Sequence, residues 1–131
     1  MIDVHDIAIG NWVYDGDKTQ FPMRVEAIGT DYVYLNFEGN EGDIWESTPQ
    51  DLQGILLTEE LLDKLGFTYK DGLWRGEGGL KVKVGVGFVF IENKGKDNWL
   101  YGTCTSKDVY YLHQLQNLYR IITKKELKLS L

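Results

Sequence analysis

Short runs of alternating apolar and polar residues, each closed by a turn signal, recur through the first 56 residues and dictate an antiparallel β architecture there. Residues 7–14 read as a first strand, ended by Asp15-Gly16-Asp17. Residues 23–28 put Met23, Val25 and Ala27 on one face and Arg24 and Glu26 on the other. After Gly29-Thr30-Asp31, residues 32–37 point Val33, Leu35 and Phe37 inward and Tyr32, Tyr34 and Asn36 outward. Gly39-Asn40-Glu41-Gly42 leads into a strand at 43–46, Thr48-Pro49-Gln50-Asp51 reads as a helical turn, and 52–56 as the last strand.

Five short strands with a helical turn before the fifth have the layout of an SH3-like barrel, an architecture that hosts many functions. The chain then changes character. Thr58 is a natural N-cap, Leu57 and Leu62 can staple across it, and Glu59 and Glu60 suit the positive end of the helix dipole. The apolar stripe Leu61, Leu62, Leu65 predicts a helix over 58–65, ended by Gly66 with Phe67 packing back. Asp71-Gly72 between two β-prone runs is a type I′ hairpin signal. Leu80, Val82, Val84, Val86, Phe88 and Phe90 fall on every second position, with Gly85 and Gly87 marking a bend or a hairpin between them. A further strand covers 99–104, and Ser106 or Asp108 caps a terminal helix over 108–122 with the core stripe Tyr111, Leu112, Leu115, Leu118, Tyr119 and Ile122. Thr123-x-x-Glu126 has the form of a capping box opening one more turn. The expectation is an α+β protein: a five-stranded SH3-like β-barrel over 1–56, then an α-β-β-β-β-α subdomain over 57–131.

Charge divides ten residues further on, after Gly66. Residues 1–66 carry 14 acidic and 3 basic side chains and 67–131 carry 6 and 11, so a net −11 faces a net +5 within a chain of −6 overall. That polarity predicts surfaces that attract each other, within one molecule or between copies, or two different partners. The 131 residues suffice for one ordinary domain or two small subdomains. The apolar run near Val86 is far too short to span a bilayer, the acidic start lacks a signal peptide's basic region, and a lone Cys104 excludes an internal disulfide. A cytoplasmic setting, in a cell or an infected host, is expected.

Three blocks carry a resemblance. The stretch Tyr111-Leu112-His113-Gln114-Leu115-Gln116-Asn117-Leu118-Tyr119, followed by Ile122-Thr123-Lys124-Lys125-Glu126-Leu127, resembles the C-terminal signature of a set of small uncharacterised proteins of gut anaerobes, often in prophage or mobile-element surroundings. Ile9-Gly10-Asn11-Trp12-Val13 resembles that set's start, and residues 57–67 its middle block. The resemblance implies a phage or mobile-element origin; it brings no catalytic role and no functional residue.

Chemistry-bearing residues are sparse. His5 and His113 lack partners at metal-ligand spacing, so neither a metal site nor a cofactor is implied. Asp15-x-Asp17 with Glu26 in the twelfth place echoes a calcium loop, but Gln20 occupies the place that requires glycine. Gly76-Glu77-Gly78-Gly79 precedes a strand, not a helix, and so is no phosphate loop. Cys104 reads as a half-buried strand residue, with a Cys104–His113 pair the more remote alternative. Glu59, Glu60 and Asp63 are explained by the helix dipole better than as a carboxylate pair.

Two features favour binding. Tyr110, His113, Asn117 and Ile121 form a second stripe opposite the core stripe of the terminal helix, so that helix is either sandwiched within the fold or touches a partner. Outward Tyr32 and Tyr34, with Trp12 and Trp45 nearby, provide an aromatic contact surface or cover the second subdomain. The favoured function is therefore non-enzymatic protein interaction, self-association included, with a candidate partner surface of Tyr32, Tyr34, Trp45, Tyr110, His113, Asn117 and Ile121. The alternative is nucleic-acid binding through Lys81, Lys83, Arg120, Lys124 and Lys125, with Lys128 nearby, opposed by a sequence pI of about 4.8. A small enzyme is the third reading.

Overall fold

The computed structural model describes residues 2, 4–16, 21–40, 45–77, 80–84, 111–127 and the backbone of 88–93 and 99–101. The expectations placed on Asp17, Gln20, Gly78, Gly79, Gly85, Gly87, Cys104, Ser106, Asp108, Tyr110 and Lys128 lie outside the described residues. Among the described residues the architecture is α+β, with two antiparallel five-stranded sheets and two α-helices. Two compact units emerge, one of Met1–Ile55 with Tyr111–Asn117 and one of Leu56–Tyr110 with Leu118–Leu131. The division is thus less simple than a cut after residue 56, because the start of the terminal helix belongs with the first unit. Among the described residues no helix is long and apolar enough to cross a membrane.

In the first unit, β1 (Trp12–Asp15), β2 (Met23–Ile28), β3 (Val33–Asn36), β4 (Trp45–Ser47) and β5 (Leu52–Gly54) form a sheet in the order β4-β3-β2-β1-β5. A 3-10 turn at Pro49–Asp51 precedes β5, as Thr48-Pro49 suggested. The sheet is open: among the described residues no ladder joins β4 to β5, and a closed barrel is not formed. The first strand starts five residues later than its apolar pattern implied. Val4–Asp6 is a 3-10 turn, and Gly10 at φ 96° bends the chain before Trp12. Alternation decides the inner face. Val13, Met23, Val25, Val33, Leu35 and Leu52 are fully buried with Ile2 and Ile7, and Phe37 and Trp45 pack against them. An irregularity in the β2–β3 ladder between Val25 and Ala27 ends the strict alternation of β2.

The second unit begins with α1 (Glu59–Lys64), whose Thr58 Oγ1 accepts the Leu61 N–H at 3.1 Å as expected of the N-cap. Gly66 at φ 88° ends it, and the Phe67 N–H returns to the Leu62 carbonyl at 3.0 Å, the six-to-one bond of a Schellman motif that buries Phe67. The hairpin of β6 (Thr68–Lys70) and β7 (Leu73–Arg75) turns at Asp71 and Gly72, both at positive φ (54° and 83°), as a type I′ turn demands. The long alternating run is not one strand. It forms β8 (Leu80–Lys83) and β9 (Phe88–Asn93), paired antiparallel with Lys83 opposite Phe88, and β10 (Trp99–Tyr101) follows. The second sheet, β10-β9-β8-β7-β6, therefore has five strands where four were expected. Leu80 and Val82 are buried in it, as are Leu57, Leu61 and Leu62.

The last helix, α2, covers Leu112–Thr123 and not 108–122. Tyr111 stands just outside it. Its carbonyl accepts from the Leu115 N–H at 3.2 Å, while its own N–H donates to the Gln114 Oε1 at 3.0 Å, the returning half of a capping box. At the other end Thr123 closes the helix and opens no further turn among the described residues. Its hydroxyl donates to the Tyr119 carbonyl at 2.8 Å and accepts the Lys125 N–H at 3.2 Å, and Lys124 turns to φ 62°. Glu126, expected to reach back in a capping box, pairs with Arg120 at 3.1 Å.

Candidate functional site

Two of the blocks that carry the resemblance meet in the first unit, and their polar residues serve the structure. Asn11 is buried, accepts the Ala8 N–H at 2.8 Å and donates from Nδ2 to the Asn117 Oδ1 at 2.8 Å. Asn117 donates in turn to the Asp6 carbonyl at 3.0 Å. Gln116 accepts the Trp12 N–H at 2.9 Å and donates to the Gly10 carbonyl at 3.1 Å. Three side-chain amides thereby satisfy backbone polar groups of the bent segment that leads into β1, which the Gly10 N–H and the Asn11 carbonyl also tie to the Val25 backbone at 2.8 Å each. A second buried cluster lies on the inner face: Asp15 is fully enclosed and accepts from Trp45 Nε1 and Ser47 Oγ, each at 2.6 Å. Short charge-assisted bonds of this kind hold β1 to β4 across two intervening strands.

The described members of the expected partner surface differ in exposure. His113 is buried at 3 % exposure and Asn117 is engaged in the amide network, so these members of the second stripe are packing residues of the first unit, the sandwiched alternative. Ile121, counted with the second unit, is 71 % exposed. Trp45 faces the core. Tyr32 stands exposed at the β2–β3 turn near Ile28, and Tyr34 is half-buried on the outer face opposite Glu46. Tyr111, expected in the core stripe, is 39 % exposed. Among the expected nucleic-acid contacts, Arg120 pairs with Glu126 and Lys125 with Glu77 at 2.9 Å, while Lys83 and Lys124 are exposed and Lys81 is half-buried.

The outer face of the first sheet carries a cleft that the sequence only half disclosed. Trp12 on β1, Arg24 on β2 and Asn36 on β3 are direct cross-strand neighbours and form a row over the sheet. Together with Phe37 and Glu38 they line an open cleft of about 270 Å³. Arg24 is held by Glu26 at 2.6 Å, yet half of its side chain remains exposed. Phe37 is itself fixed by edge-on contacts with Phe21 and Trp45 at centroid distances of 5.1 and 5.9 Å. Alternation alone placed Arg24 and Asn36 outward, but only the register sets them beside Trp12.

A second cleft of the same unit, about 320 Å³, is lined by Ile2, Asp6, Gln53, Gly54, Tyr111, His113 and Gln114. The Tyr111 ring stacks on the His113 imidazole at 5.9 Å and 19° and lies over Gly54, where a Cβ would come within 2.6 Å of the ring. Burial holds the His113 pKa down at about 4 despite the nearby Asp6 carboxylate, and Nδ1 has no hydrogen-bond partner among the described residues. These residues come from four separate segments, so spacing could not assemble them; the one signal was a glycine inside a strand, which marks a close approach.

Among the described residues no group of three or more metal-ligating side chains converges. Comparison of the chain with known protein families, with curated proteins and with solved structures gives no match.

Proposed function

We propose that this protein is a non-enzymatic interaction module that engages a protein partner through the outer face of its first sheet. The observation that carries the reading is the Trp12–Arg24–Asn36 row with Phe37 at its end. Aromatic and arginine side chains dominate the energetics of protein interfaces, because aromatic rings offer a large area at little entropic cost and arginine a planar, multiply donating tip. Here all three strands beneath the row carry buried core residues on their other face, Val13, Met23, Val25, Val33 and Leu35. The strand order, with a helical turn before a fifth strand that returns beside the first, supports an SH3-like layout for this unit. The resemblance of the 111–127 block to small proteins of prophages and mobile elements supports an accessory role in the cytoplasm of a cell or an infected host.

The test is a pull-down from native-host lysate with tagged wild type, Trp12→Ala and Arg24→Glu, at low and high salt, with and without nuclease. A protein recovered by the wild type in high salt and after nuclease, and lost with both variants, supports the reading. Nuclease-sensitive nucleic acid that dissociates in salt and survives both variants overturns it in favour of the basic second unit. Sedimentation of the pure protein at low and high salt reads self-association between the acidic and basic parts of two copies separately.

A further inference from the structure

The outer face of the first sheet selects by charge as well as by shape. We infer that it takes an extended, basic segment of a partner protein, with lysine or arginine side chains two residues either side of an apolar one. This holds only if that face is the interaction surface, as proposed above.

Charge sets the sign of the partner. The first unit, residues 1–55 with 111–117, holds 11 acidic and 2 basic side chains, a net of −9. The row and its neighbours on the outer face carry Arg24, Glu26, Glu38 and Glu46. Glu26 meets Arg24 at 2.6 Å and offsets it. Glu38 and Glu46 are exposed and form no ion pair among the described residues. An acidic segment would approach a surface and a whole unit of its own sign, while a basic one is drawn in from about a Debye length, roughly 8 Å at physiological salt. Trp12 and Tyr34 are half-buried on the same face, and aromatic rings attract lysine and arginine cations.

Spacing sets the pattern of the segment. Trp12, Arg24 and Asn36 make one row, and Tyr34 with its cross-strand partner Glu46 belongs to the next, two residues back along β3. Rows on one face of a sheet lie about 7 Å apart, and so do alternate side chains of an extended peptide. An apolar side chain seated in the cleft of about 270 Å³ that Trp12 and Phe37 line therefore brings the side chain two residues away over the row of Glu46. Glu38, on the cleft wall two residues beyond Asn36, meets the cation on the other side.

The test is selection of random short peptides on the immobilised full chain. Affinities of the selected peptides are then read by fluorescence anisotropy with wild type, Trp12→Ala, Glu38→Lys and Glu46→Lys, at low and high salt. The expected peptides carry lysine or arginine two residues from an apolar side chain, bind more weakly in salt and lose binding with Trp12→Ala. Each glutamate variant should weaken them about twofold to fivefold, the scale of an exposed charge pair. Glu38 and Glu46 are exposed, so their variants decide the matter even where Trp12→Ala fails to fold. Peptides that need Trp12 but are acidic or uncharged, or that bind the glutamate variants as well as wild type, overturn the basic segment and leave the outer face standing as the interaction surface. Peptides indifferent to Trp12→Ala overturn both. An empty selection overturns the basic segment and leaves the face to the pull-down. Self-association of the wild type in low-salt sedimentation that Glu38→Lys abolishes puts a second copy on this face and overturns the separate partner.

Discussion

Asn11 and Asn117 bond side chain to side chain at 2.8 Å across 106 positions of sequence. Each also holds a backbone group, Asn11 the Ala8 N–H and Asn117 the Asp6 carbonyl. Asn11→Ala therefore strands the half-buried Ala8 N–H as well as breaking the bond, and is expected to destabilise the fold by about 1–3 kcal/mol. Urea unfolding of the two single alanine variants and the double variant checks this. The double variant should cost less than the two singles added together, since both remove the same link.

Asp15 is expected to be the most sensitive polar position of the first unit. Asp15→Ala leaves Trp45 Nε1 and Ser47 Oγ without their acceptor in the core, a loss of roughly 3 kcal/mol or more on the scale of buried charged hydrogen bonds. Thermal melts followed by tryptophan fluorescence read the effect. Ser47→Ala, which removes one of two donors to a still-bonded carboxylate, should cost clearly less.

Gly54→Ala is expected to destabilise through a side chain and not through the backbone. The new Cβ would press on Cβ, Cγ and Cδ1 of Tyr111, the near end of that side chain, which cannot swing away cheaply. A cost of about 1–3 kcal/mol, typical of overpacking, is expected. Tyr111→Ala in the same chain should recover most of it, and chemical denaturation of the double variant decides the matter.

His113 makes stability depend on pH in a defined direction. Its folded pKa of about 4 lies below the unfolded value of about 6.5, so the unfolded chain binds the proton first. The contribution is fully present above pH 6.5 and is lost as pH falls towards 4, by up to about 3 kcal/mol. Carboxylates titrate at the lower end of this window, so the quantity to measure is the difference between wild type and His113→Gln in urea midpoints from about pH 7 to pH 4. The wild-type curve should fall more steeply.

Glu77 governs an ionisation in the second unit. The Tyr119 hydroxyl donates to its Oε2 at 2.9 Å, and burial first, then this bond and the carboxylate's charge, raise the phenol pKa. Glu77→Gln removes the charge, so Tyr119 should ionise at lower pH than in the wild type. Carbon-13 shifts of the tyrosine ring during an alkaline titration report it.

Local signals made much of this fold legible. Alternation located the strand cores at Met23–Val25 and Val33–Leu35, Thr48-Pro49 the 3-10 turn, Thr58 and Gly66 both ends of α1, and Asp71-Gly72 the hairpin. Failures came where tertiary bonds override local pattern. Tyr111 fits a helical stripe, yet its N–H is taken by Gln114 and its ring by Gly54, so the helix begins only at Leu112. Thr123 and Glu126 have capping-box spacing, but Tyr119 and Arg120 in the preceding turn claim their side chains. His113 was legible only as a choice between burial and contact, because helical periodicity does not say which second element lies over a residue. The cleft around it draws on Ile2, Asp6, Gly54 and Tyr111, whose nearness is a property of topology alone.

The long reach from Asn11 to Asn117 also sets an order of events during synthesis. A ribosome that has made the whole first sheet has not yet made Tyr111–Asn117, the last piece of that unit. Until it emerges, Gly10 and Trp12 lack the partners that Gln116 provides. Such distant closures are slow steps in folding. The nascent sheet therefore waits, incomplete, through the synthesis of most of the second unit, and that interval is when a chaperone would find it.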